Sequence, residues 1–145
     1  PKDQRVLERR NDILVYTSEF LTEPVSIAGP VSMKLFAATD GPDTDWMIKL
    51  VDVYPDGSAY PISEGILRAK FRNGTEKAEL LKANKVYEYE ITLTGTANVF
   101  KPGHRIRVDI TSIPVSHWEA VTKQELPNKQ FIMEDQEQVI LSYPL

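Results

Sequence analysis

Polar and apolar positions alternate with a period of two along most of this 145-residue chain. In "HRIRVDIT", Ile106, Val108 and Ile110 fall on one side, and Arg105, Arg107, Asp109 and Thr111 on the other. In "VYEYEITL", Tyr87, Tyr89, Ile91 and Leu93 oppose Glu88, Glu90 and Thr92. "VSMKLFAA" sets Val31, Met33, Leu35 and Ala37 against Ser32 and Lys34. Successive side chains of a strand point to opposite faces, so each run predicts a half-buried antiparallel strand. "DWMIKLVDVYP" is apolar on both sides, as a more central strand would be, and "DILVYTS", "YPISEGILRAKF" and "QVILSYPL" are weaker runs. The breaks are turn chemistry: "GP" at 29–30, "DGPD" at 40–43, "PDG" at 55–57, "NG" at 73–74 and "KPG" at 101–103. Gly supplies positive φ and Pro pre-sets φ, so these are corners with a mechanism. "TEKAELLKAN", 75–84, reads equally as a short helix or a loop. Strands punctuated at roughly 8–12-residue spacing predict an all-β sandwich or barrel.

Composition narrows this picture. Ten prolines argue against long helices. The length suits one domain spanning 1–145, large enough to bury a core without disulfides or metals. A net charge of -4 offers no field for nucleic acid or an anionic membrane, so neither is an expected partner. No apolar run approaches the ~20 residues that span a bilayer, and the start, "PKDQRVLERRND", is too polar for a signal peptide. With zero Cys there is no thiolate nucleophile or cysteine-ligated zinc, and the compartment stays open between cytoplasmic and exported. The chain opens on Pro1 without an initiator Met, which suits a domain excised from a longer protein, trimming being the plainer alternative.

Candidate chemistry is sparse. No Gly-x-Ser-x-Gly elbow is present to expose a serine nucleophile. His104 follows the "KPG" corner and His117 lies beside Trp118 in "PVSHWEA"; a capping or surface role is the ordinary reading of both. Asp40, Asp43 and Asp45 in "DGPDTDW" are oxygen ligands of the kind calcium takes, but they fit no EF-hand spacing, and Asp at turns usually caps its own backbone. No metal and no cofactor is therefore expected. Asp52 lies in one register with Ile48, Leu50 and Tyr54, and a carboxylate there needs a partner; Arg68 on the next strand is the candidate, making a structural polar pair. "NGT" at 73–75 fits a glycosylation sequon and equally an Asn-Gly turn. The aromatic residues suit core packing better than a sugar-stacking platform.

Five collinear stretches carry a resemblance: "DQR" at 3–5, "DILVYTSEFLTEPVSIAGPV" at 12–31, "DTDWMIKLVDVYPDG" at 43–57, "ISEGILRAKFR" at 62–72 and "NVFKPGHRIRVDITS" at 98–112. With their spacers they cover about three-quarters of the chain. In these stretches the chain resembles the C-terminal domain of the X-Pro dipeptidyl-peptidase family, which includes cocaine esterase and the α-amino acid ester hydrolases. The resemblance implies a jelly-roll β-sandwich, similar to galactose-binding domains, packed against an α/β-hydrolase domain that precedes it. That domain carries the Ser-His-Asp triad, so no catalytic residue of the family maps here. The implied role is to buttress the hydrolase domain, help wall its active-site entrance and contribute to oligomer contacts. The alternative is a free-standing carbohydrate-binding type of module, which rests on fold analogy alone. After "VDITS" the family's aromatic-Pro segment with its Arg-Asn pair is replaced by "IPVSHWEAVTKQELPNKQ", and 115–133 carries no resemblance, whereas "QVILSYPL" looks like the family's last strand.

Overall fold

The structure, a computed structural model, describes residues 3–6, 8, 13–113 and 140–142. Seven strands appear in it: β1 (Ile13–Thr17), β2 (Val25–Ala37), β3 (Asp45–Val53), β4 (Ala59–Arg68), β5 (Tyr87–Phe100), β6 (Arg105–Ile113) and β7 (Ile140–Ser142). They form two antiparallel sheets, ordered β1-β6-β3-β4 and β5-β2-β7. The alternating runs supply the facing surfaces. Val31, Met33, Leu35, Tyr89, Ile91 and Leu93 from one sheet and Trp46, Ile48, Leu50, Val108 and Ile110 from the other form one buried cluster. Trp46 and Tyr89 meet across it with ring centroids 5.6 Å apart. Each such aliphatic side chain contributes about 1.5–3 kcal/mol on burial, so this shared core makes the chain a β-sandwich.

β3 lies between β6 and β4, and both its faces are buried in part: Trp46, Ile48 and Leu50 enter the shared core, and Val51 and Val53 a second small cluster. β4 is an edge strand of its sheet, and this is what tolerates Pro61: the register shifts from Leu50↔Ser63 to Val51↔Pro61 at a bulge. At this edge the two sheets close on each other. A Cβ added to Gly65 would stand 2.5 Å from the Thr92 carbonyl oxygen, so only glycine lets β4 and β5 approach this closely. The Ser63 hydroxyl donates to the Thr94 carbonyl, and the Thr94 hydroxyl to the Glu64 carbonyl, fastening the same corner.

The run 75–84 contains no helical turn. Its backbone is claimed by more distant partners: Glu79 N–H donates to Lys70 O and Leu81 N–H to Pro42 O, each at 2.8 Å. Arg72 organises this loop from within. Its Nη1 donates to Glu79 O at 2.6 Å, its guanidinium lies 4.4 Å over the Tyr87 ring, and Leu81 reaches the core. Asn73 sits in a turn closed by Gly74 N–H on Phe71 O, and its side-chain amide donates to Glu79 Oε2 at 2.9 Å.

Candidate functional site

The pair expected from sequence, Asp52 with Arg68, does not form; each has a different partner. Asp52 stands opposite Tyr60 near the end of β3, whereas Arg68 stands opposite Asp45 at its beginning. Seven residues of strand separate the two carboxylates, roughly 23 Å at the usual rise. Arg68 grips Asp45 with two bonds, Nε to Oδ1 at 2.9 Å and Nη2 to Oδ2 at 3.1 Å. Asp52 Oδ1 meets His104 Nδ1 at 2.8 Å, with both side chains buried. In the acidic run before β3, Asp43 Oδ1 accepts from the backbone N–H groups of Thr44 and Lys70, each at 3.0 Å. Among the described residues no group of three metal-ligating side chains occurs. His117 and segment 115–133 lie outside the described residues.

An imidazole held by a carboxylate is part of a nucleophile-activating relay, but Asp52 is the ring's hydrogen-bond partner among the described residues, and the ring packs 4.4 Å from Tyr54. Among the described residues no serine is hydrogen-bonded to that ring. The pair instead pins the end of β3 to the start of β6 and so fixes one end of the sandwich.

Three connections converge on that end. The β1–β2 loop is tied down by Leu21 N–H to His104 O and by Gly103 N–H to Leu21 O, each 2.8 Å. Ser18 holds the same edge, its N–H donating to Ile106 O and its Oγ accepting from Ile106 N–H. In the β3–β4 turn Gly57 takes φ +84°, and Asp56 Oδ1 accepts from Ser58 N–H at 2.9 Å. The β5–β6 turn packs beside Pro55, which lies 3.6 Å from where a Cβ on Gly103 would be. On this framework two aromatic side chains face outward: Phe20 is 58% exposed and Tyr54 41%. Tyr54 is braced edge-on by Tyr60 at 5.2 Å, and the Arg105 guanidinium lies 4.4 Å over Phe20. Arg105 Nε is buried with no hydrogen-bond partner among the described residues. The arrangement is a fixed apolar-and-cationic surface, suited to recognition.

An N-terminal strap, residues 3–6 and 8, lies over the outward face of the four-stranded sheet. Gln4 N–H donates to Ala59 O at 2.8 Å, and Ala59 N–H donates to Asp3 Oδ1 at 3.2 Å. Lys49 Nζ donates to Gln4 Oε1 at 3.1 Å, and Arg107 Nη1 to Glu8 Oε2 at 2.5 Å. The Arg5 side chain beside it holds the Asp3 carboxyl down to about 2. The strap covers a second small cluster, Val51, Val53 and Ala59. It also buries Asp109, pushed up to about 6 first by burial and then by the neighbouring Glu8 carboxylate. Alternation alone assigned Asp109 to a solvated face; the signal of a covering segment was Val51 and Val53 on the outward register of β3.

Residues 4–131 match the family described as the X-Pro dipeptidyl-peptidase C-terminal non-catalytic domain, so the match runs through most of the segment 115–133 that sequence reading left without a counterpart. A cocaine esterase from Rhodococcus sp. (strain MB1 Bresler) is 45% identical over 112 residues, covering 77% of this chain and 20% of the esterase. The structure superposes with TM-score 0.73 on an aminopeptidase from a marine sediment Thaumarchaeota archaeon, at 38% identity over 78% of this chain and 20% of that one. It superposes with TM-score 0.74 on an α-amino acid ester hydrolase, at 35% identity and the same coverage. The chain thus spans about a fifth of the length of these relatives.

Proposed function

Because the chain belongs to the family of X-Pro dipeptidyl-peptidase C-terminal non-catalytic domains, we propose that it works as the supporting domain of a serine hydrolase. In this reading it packs against an α/β-hydrolase domain that carries the Ser-His-Asp triad, buttresses that domain and helps wall its active-site entrance. The substrates of the whole protein are acyl compounds, esters or peptides, as the names of its relatives suggest. The sandwich is assigned with it to the jelly-roll, galactose-binding-like type. The observation that carries the reading is the braced end of the sandwich: Phe20 and Tyr54 are exposed there, the β1–β2 and β5–β6 connections are hydrogen-bonded to each other, the β3–β4 turn packs beside them, and the Arg105 guanidinium lies over Phe20. Exposed aromatics braced by neighbouring side chains lose less entropy when a partner covers them than unbraced ones do.

The first test is activity of the 145-residue chain alone. With an activated ester as substrate, hydrolysis is expected at the buffer rate. A turnover that a serine-directed inhibitor abolishes would contradict the assignment.

A further inference from the structure

β4 and β5 are edge strands of different sheets, and they meet at the corner where Gly65 stands against the Thr92 carbonyl. Beside that corner lies an open cleft of about 450 Å³, a size that holds a small organic ligand. Glu64 and Ile66 flank Gly65 on β4 and, two residues apart, project to one face. Ile66 is 56% exposed and stands opposite Met47 in the β3–β4 register, so the two give the cleft an apolar side. An exposed branched side chain in a concavity is area that the apolar body of a ligand can cover. The polar side chains of the cleft are the Glu64 carboxylate and the hydroxyls of Thr92 and Thr94. The Thr94 hydroxyl gives its proton to Glu64 O, which leaves its oxygen to accept. Among the described residues no Lys, Arg or His lines the cleft. Lys49 stands opposite Glu64 in the register, but its Nζ donates to Gln4 Oε1 at 3.1 Å. Glu64 itself takes part in no ion pair among the described residues. A cleft with acceptors, an apolar side and an uncompensated carboxylate is complementary to a donor-bearing cation on an apolar body.

We propose that this cleft binds a small organic ammonium compound, whose ammonium group donates to the Glu64 carboxylate and the Thr94 hydroxyl while its apolar body covers Ile66 and Met47. An ammonium has donors and no acceptor, so it can satisfy both oxygens at once. An anion of the same shape would face the Glu64 carboxylate with nothing to donate, and a neutral alcohol would lose the charge attraction. The cleft is built by β3, β4 and β5, and none of its lining residues belongs to the three connections of the braced end. Binding here is therefore separate from the docking of a catalytic domain.

The test is an amide NMR titration of the 145-residue chain with phenethylammonium chloride, repeated with 2-phenylethanol and with sodium phenylacetate at the same pH and ionic strength. The expected result is a shift that saturates in the millimolar range, centred on the amides of Gly65, Ile66, Thr92 and Thr94. The alcohol should bind at least about threefold more weakly, and phenylacetate should give no saturating shift there. In Glu64→Gln the ammonium compound should lose the same factor, with the alcohol unchanged. Shifts that fail to saturate in the millimolar range, or that saturate elsewhere on the chain, overturn the proposal. So does binding of the alcohol or of phenylacetate as tight as that of the ammonium compound. These readings come from the unsubstituted chain without a hydrolase domain, so their failure is distinct from a failure of the supporting role.

Discussion

At the residue scale, the polar groups in this sandwich act through the partner that the register assigns. Arg68 is legible from sequence as a group that needs an acid, and Asp52 as an acid that needs a partner. Which acid meets which base depends on where β3 and β4 start pairing, and alternation does not encode that start. A double-mutant cycle reads the difference. Asp45 with Arg68 should couple by about 0.5–3 kcal/mol, as contacting groups do, whereas Asp52 with Arg68 should add within roughly 0.5 kcal/mol. Coupling of the second pair as large as the first would refute the register. Asp109 gives a pH prediction at the same scale. Its carboxyl is raised to about 6 in the folded chain, so its contribution to stability is fully present below the unfolded value of 3.8. That contribution is lost as pH rises through about 6, and Asp109→Asn should flatten urea-measured stability over pH 4–7. A wild-type curve that the substitution leaves unchanged would contradict this.

At the scale of the element, strand existence and facing were legible because period-two patterning is a direct imprint of one-sided burial. Val31, Met33, Leu35, Tyr89, Ile91 and Leu93 all point inward as the alternation of β2 and β5 requires. Leu50→Ala should therefore lose roughly 2–4 kcal/mol, with Val108→Ala near the low end because less volume is removed. A loss under about 0.5 kcal/mol at Leu50, the range of surface sites, would remove it from the core. Legibility failed where a segment's partners are remote in sequence. The run 75–84 has helix-forming residues, but Lys70, Pro42 and Arg72 claim its backbone. Nor does anything local in "SEGIL" announce that β4 meets β5 there. Gly65→Ala should consequently be far more damaging than Gly41→Ala, whose added Cβ finds its nearest atom at 3.7 Å. Thermal unfolding of the two variants makes the comparison; equal midpoints would mean that the corner opens at little cost.

At the scale of the whole molecule, parts of three of the stretches that carry the family resemblance meet at one end of the sandwich. "DQR" runs in the strap, and "SEFLTEP", "VYPDG" and "KPGHR" form the three connections at the braced end. Sequence alone named the stretches without showing that they meet, since their contacts join residues as distant as Ser18 and Ile106. The Asp52–His104 pair that fixes their geometry was likewise hidden, because each member separately has a bland reading. Their convergence gives the supporting role a defined surface. The central claim is that this end docks a catalytic domain, and calorimetric titration of this chain into a separately prepared α/β-hydrolase portion of its own protein measures it most directly. The account predicts saturable binding, weakened at least about tenfold by Phe20→Ala with Tyr54→Ala, a loss of 1.4 kcal/mol or more for two interface aromatics. Binding that the double substitution leaves unchanged, with the variant still folded, would contradict it.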